Sequence, residues 1–239
     1  MKNYIKESII LALSVVILGV LLHSAFITFC EKDRLVQVRG LAEMEVPANR
    51  VIWHLSYNEL GNDLSQVYAS IKDKNTVIYK FLKDHGISEE EVSVSAPDVM
   101  DMEAQKYSEN HSAFRYNVQS TMTVASDKVD LVRKAISEQA ELINKGIALS
   151  TSNSGPEFGY EGAVVYSYTK LNDIKPKMIE DATRNARAAA EKFAKDSESK
   201  LGKIRWATQG QFSIEDRDMS TPYIKQVRVV TSVAYSLED

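Results

Sequence analysis

The sequence predicts an α+β fold: an N-terminal transmembrane helix, then an antiparallel or mixed sheet with three helices packed on it. Three observations lead there. A run without a charged residue, IILALSVVILGVLLHSAFITF, extends from Ile9 to Phe29. Beyond it, short segments with alternating apolar residues come in pairs, as half-buried strands do. Between the pairs lie three segments with apolar residues at three- and four-residue spacing, the mark of amphipathic helices. The expected order after the span is ββαββαββαββ, with the helices on one face of the sheet.

The N-terminal run comes first. About 20 apolar residues rising 1.5 Å each cross a bilayer core. The run has no polar face, and Ile9, Leu11, Val16, Leu21 and Phe29 mark it as a membrane anchor. Its apolar stretch exceeds the core of a typical cleavable signal, and His23-Ser24-Ala25 is a poor cleavage site because His takes a position that wants a small residue. Phe29 before Cys30 likewise argues against a lipoprotein site. The expected organisation is a short cytoplasmic tail (1–8), an uncleaved signal-anchor (9–30) and an extracytoplasmic domain (31–239). Lys2 and Lys6 precede the span and Lys32 and Arg34 follow it, so only the amino terminus tips the basic count toward N-inside.

The globular part opens with Val36, Val38 and Leu41, then Val51, Trp53, Leu55 and Tyr57, two strands separated at Pro47-Ala48-Asn49. Asn62 or Asp63 is placed to cap a helix carrying Val67, Ile71, Ile78 and Leu82, closed at His85-Gly86. EVSVSAPDVM begins a strand, and 98–112 reads as a loop or irregular hairpin. FRYNVQSTMTVAS is a further strand. Ser126 or Asp127 is expected to cap a second helix ending at Gly146. The turn-rich 147–162 separates two short strands, of which AVVYSYT is the second. Asp173 is expected to cap the third helix, with Pro176 in its first turn. KIRWATQGQFSI and KQVRVVTSVAYSLE complete the sheet.

The third helix is rich in alanine. Ile174, Met178, Ala182, Ala186, Ala189, Ala190, Phe193 and Ala194 share one face, which predicts a close-packing surface. Glu180–Arg184 and Glu191–Lys195 are i,i+4 ion pairs in the favoured order.

Composition excludes several functions. The net charge of −4 and the absence of a basic block argue against nucleic acid as a partner. The single cysteine, Cys30, permits neither an intramolecular disulfide nor a CxxC redox pair. The four histidines show no HExxH or other helical ligand spacing, and the ten glycines form no phosphate-binding loop. No GxSxG elbow is present. No catalytic residue and no cofactor is therefore assigned. The candidate metal ligands are Asp98, Asp101, Glu103 and His111 in DVMDMEAQKYSENH, with Met100 and Met102 as thioether donors for a soft ion. No ligand pattern matches their spacing, and a solvated loop is the competing reading.

Three segments in order carry a resemblance. VQVRGLAEMEVPANRVIWHL, NTVIYKFLKDHGISEEEVSVS and YSYTKLNDIKPKMIEDATRNARAAAEKFAKDSESKLGKIRWATQGQFSI resemble the opening, the helix–Gly–strand segment and the Ala-rich helix with its Leu-Gly turn in SIMPL-domain proteins. The resemblance covers nearly the whole chain after the anchor. It implies a bacterial cell-envelope protein, periplasmic or tethered to the inner membrane by one span. Relatives of that kind include periplasmic immunogenic and oxidative-stress defence proteins, and some form large ring- or channel-like homo-oligomers. The family supplies no catalytic residues to carry over. The expectation is a non-catalytic, self-assembling scaffold or interaction protein with a role in stress defence and a protein partner left open. The alternative is an envelope metal- or ligand-binding protein using the 98–111 loop. One departure stands out: Glu198 occupies a position where many members have glycine.

Overall fold

The computed structural model describes residues 2–31, 34–104, 113–150 and 163–238, and the side chains of its first helix from Ser8 to Ala25. Its elements are helix α1 (Lys2–Glu31), strands β1 (Leu35–Pro47) and β2 (Arg50–Gly61), α2 (Leu64–Asp84), β3 (Val92–Val94), β4 (Asp98–Asp101), β5 (Tyr116–Ser126), α3 (Val129–Ser137), α4 (Ala140–Asn144), β6 (Val164–Ser167), α5 (Leu171–Asp196), β7 (Lys200–Gln209), β8 (Ser213–Asp216) and β9 (Ile224–Glu238). The α+β class holds, but the strands form two sheets rather than one, ordered β1-β9-β7 with β8 also on β9, and β3-β5-β2-β6 with β4 also on β5.

The chain divides into two compact units, each assembled from separate stretches of sequence. The first comprises 1–44, 172–213 and 227–239. In α1, the window Ser8–Ala25 has a mean hydropathy of 2.4 and none of it is buried, so the helix is long and apolar enough to cross a membrane. A membrane anchor and a secretory signal share that property. In the same unit, α5 packs on the sheet through Met178, Ala182, Ala186, Ala190 and Ala194, a strict four-residue ridge. Small side chains are required there. At Gly40 of β1 an added Cβ would lie 1.8 Å from the Ala182 carbonyl oxygen and 2.6 Å from the Ala186 nitrogen. The helix backbone thus rests almost directly on the strand. Val38, Val233 and Tyr235 complete this core with Ala186 and Ala190.

The second unit comprises 45–171 and 214–226. β2 and β5 pair antiparallel from Val51↔Ser126 to Gly61↔Tyr116. Alternation then sorts their side chains: Val51, Trp53, Leu55, Tyr57, Val118, Met122 and Val124 form one face, buried with Ile71, Ile78, Phe81 and Leu82 of α2 and with Val132, Ala135 and Leu142 of α3 and α4. Asp63 caps α2, its carboxylate accepting from the N–H groups of Ser65 (2.8 Å) and Gln66 (3.4 Å).

Three helices end alike. Gly86 (φ 81°), Gly146 (φ 76°) and Glu198 (φ 57°) each sit in the left-handed region one residue past the cap. In each case the following N–H reaches back over a full turn: Ile87 to Leu82 O, Ile147 to Leu142 O, and Ser199 to Ala194 O. The position read from sequence as a missing glycine is therefore one where glycine conformation is required.

The structure corrects several sequence expectations. The second helix breaks between Ser137 and Ala140, and its N-cap is Lys128 without a side-chain cap bond. Ser126 does not cap it because its hydroxyl donates to Glu91 (2.7 Å) while accepting from the Lys128 N–H. Asp173 lies inside α5, which begins at Leu171, and Pro176 is its sixth residue, just past the first turn. Asp98–Asp101 is a strand paired antiparallel with β5, the hairpin alternative for this segment and not the loop. Phe193 does not join the alanine face and is 60% exposed. Glu180 pairs with Arg184 (2.6 Å) as expected, whereas Glu191 pairs with Arg187 (3.4 Å) rather than Lys195. The first short strand of 147–168 reduces, among described residues, to one bridge between Ser150 and Ser56. KIRWATQGQFSI splits into β7 and β8, with the Gly210 N–H bound to Val230 O.

Candidate functional site

The candidate metal residues are placed as follows. Asp98 and Asp101 lie three apart on one strand, so alternation sends them to opposite faces of the sheet. Asp98 stands opposite Gln119 and is exposed. Asp101 accepts two bonds from the Arg115 guanidinium (3.0 and 3.2 Å), and Glu103 approaches the same group at 3.5 Å. The Arg115 hydrogen bonds hold the Asp101 carboxyl below its usual range. His111 lies outside the described residues. Among the described residues no group of three His, Cys, Asp or Glu side chains is gathered.

The second unit instead carries two surface clefts. One, of about 510 Å³, is lined by Tyr68, Ile71, Asn75 and Tyr79 of α2 with Val94 and Pro97. It opens where the sheet edge is interrupted. β3 and β4 form an interrupted edge along β5, joined by the Ser95 N–H to Thr121 O, and Pro97 has no N–H to continue the ladder. Val94 and Val99 stand opposite the buried Met122 and Val118, yet both are exposed, because α2 packs on β2 and β5 and leaves the edge uncovered. Below this cleft the Tyr57 hydroxyl lies 2.9 Å from Asn75 Oδ1 and 3.1 Å from Ile71 O. Burial pushes the Tyr57 phenol up, so it stays a neutral donor.

The other cleft, of about 710 Å³, lies between β6 (164–167, with Tyr168) and Ile214–Asp216, closed by Pro222 and Lys225. Lys225 is nearly buried and pairs with Asp216. Tyr166 stands edge-on to Tyr223 at 6.2 Å, and the Arg133 guanidinium stacks 3.5 Å over the Tyr223 ring. Burial also raises the Tyr166 phenol. Both clefts offer aromatic walls and hydrogen-bonding groups, an arrangement suited to binding.

On the sheet face away from the helices, cross-strand pairs carry hydroxyl and imidazole groups. His54 Nδ1 lies 3.0 Å from Thr123 Oγ1, and Ser56 Oγ lies 2.9 Å from Thr121 Oγ1. Sequence reasoning did not single out this polar face or either cleft. The alternation in RVIWHLSYN carries the signal for the face. The clefts depend on long-range pairing, which no local pattern encodes.

With this architecture in view, the chain matches the SIMPL family, described as a protein of unknown function (DUF541), over residues 36–235. It belongs to that family. The match begins immediately after the N-terminal helix and runs nearly to the end of β9. No curated protein matches the chain.

Proposed function

We propose that this chain is a membrane-anchored, extracytoplasmic SIMPL-domain protein of the bacterial envelope, carried by one span in the inner membrane with its domain in the periplasm. It acts as a non-catalytic, self-assembling scaffold or interaction protein. The observation that carries this reading is the order of parts: an unburied apolar helix of bilayer length directly precedes a family domain covering 36–235. The aromatic clefts and the polar sheet face are suited to holding a partner. A part in stress defence rests on the family resemblance alone. Arg115 engages Asp101 and Glu103, two of the residues that the alternative metal-site reading of 98–111 would use.

Self-assembly is tested by the mass of the full chain extracted in mild detergent and in lipid nanodiscs, measured over a wide concentration range. The reading expects a defined homo-oligomer. A strict monomer throughout counts against a scaffold built from copies of this chain.

A further inference from the structure

We infer that the β7 edge of the first unit, with the last turn of α5, lies on the lipid surface beside the span. This rests on the membrane-anchor reading and adds a second, interfacial contact to it.

Chain length sets the geometry. α1 ends at Glu31, and Arg34 is already tied into the folded unit: its carbonyl accepts from the Leu237 N–H (2.9 Å), and its guanidinium donates to Ser199 (3.3 Å). Three residue steps reach about 10 Å at most. Arg34 therefore holds the end of the sheet where β7 begins and β9 finishes within about 10 Å of the end of the span. Lys200 pairs with Glu238 and Leu201 with Leu237 at that same end.

The surface there is apolar beyond what an isolated sheet edge should show. β7 is exposed along almost its whole length. Ile204 is 51% exposed, Trp206 41% and Phe193 of α5 60%, while Leu35, 46% exposed, opens β1 on the far side of β9. Register explains why the apolar groups meet at the edge. Ile204 stands opposite Tyr235, whose ring lies in the core under α5, and a bulge before Trp206 shifts Trp206 opposite Ala234, on the reverse side. Both sides of the edge thus carry a large apolar side chain, and Phe193 adds a third from one turn before the end of α5.

Lys200, Lys203 and Arg205 alternate with these groups along β7 and have stems long enough to reach head groups while the rings sink. Glu191, Asp196, Glu198 and Glu238 lie at the same end, so attraction to anionic lipid is offset. The contact is one of apolar and aromatic insertion at interfacial depth, the position that Trp favours. Such a contact also covers an edge that would otherwise invite strand pairing.

The chain has two tryptophans, and Trp53 is buried in the second unit, so emission separates the two sites. The experiment reconstitutes the full chain in phosphatidylcholine vesicles containing lipids brominated near the head group, with Trp206→Phe as the control. We expect strong quenching in the native chain that is abolished in Trp206→Phe, and weakened quenching in Phe193→Asp/Ile204→Asp. Quenching should persist without anionic lipid. If the chain floats with vesicles after an alkaline wash but Trp206 is unquenched, the surface contact is wrong while the anchor stands. If the chain does not float, the anchor reading itself fails.

Discussion

Glu198 is the one described non-glycine residue with a positive φ, a backbone conformation that favours glycine. The last turn of α5 closes through the Glu198 N–H to Lys195 O and the Ser199 N–H to Ala194 O, a geometry that needs the left-handed region. An L side chain there costs about 1–2 kcal/mol, partly offset because glycine loses about 0.5–1 kcal/mol more chain entropy on folding. Glu198→Gly should therefore raise stability by about 0.5–1 kcal/mol. Urea unfolding followed by circular dichroism measures this; an unchanged or lower midpoint contradicts it. His85 is a second residue-scale case. Its Nδ1 lies 2.7 Å from Phe81 O and its Nε2 lies 2.8 Å from Glu138, so both ring nitrogens face acceptors. Burial lowers its pKa, but the Phe81 carbonyl, the Glu138 carboxylate and the more distant Glu141 outweigh that and raise it overall. Because the folded value is raised, the added stability is full below about 6.5 and is lost as pH rises through the folded value. The native chain should lose urea stability across that window. Glu138→Gln should flatten the change, and equal pH slopes in the two proteins would refute the linkage.

At the scale of elements, the contact of α5 with β1 is the most sharply constrained. Gly40→Ala places a methyl group inside the van der Waals radius of backbone atoms at Ala182 and Ala186, which cannot rotate away. Its cost should be at least about 1–3 kcal/mol, the range for overpacked cores. Phe193→Ser, on the exposed side of the same helix, should stay within about 0.5 kcal/mol in thermal unfolding. A tolerated Gly40→Ala would show that the helix can lift from the strand. The alanine ridge was legible in the sequence because periodicity reports which side of a helix is apolar. Phe193 was misplaced by the same signal, since spacing does not reveal where the sheet beneath the helix ends. Strand existence was legible for β1, β2, β5 and β9, where alternation runs over many residues. EVSVSAPDVM was legible as a strand, but its division into β3 and β4 was not, because the Pro97 interruption breaks the ladder without ending the edge. The break between α3 and α4 was hidden because Glu138 and Gln139 are good helix formers and carry no stop signal, while the N-cap was misassigned because Ser126 serves Glu91.

For the whole molecule, the N-terminal apolar helix and the family were legible in the sequence, because length, hydropathy and ordered motifs are properties of the linear chain. The division into two units was not. Each unit draws on stretches far apart in sequence, and no linker composition marks the changeover. The two clefts were hidden for a related reason: β6 and the 214–225 segment approach each other only through long-range pairing. The account of the whole chain rests on one physical claim, that the helix with Ser8–Ala25 remains in the bilayer and holds the SIMPL domain outside the cytoplasm. The most direct test is protease treatment of intact spheroplasts carrying the full chain, followed by an alkaline wash of the membranes and N-terminal mass determination. The account predicts that the domain is digested from outside while an N-terminal fragment containing Ser8–Ala25 stays in the washed membrane. A domain protected from the protease, or a soluble domain already lacking residues 8–25 before the protease is added, would contradict it.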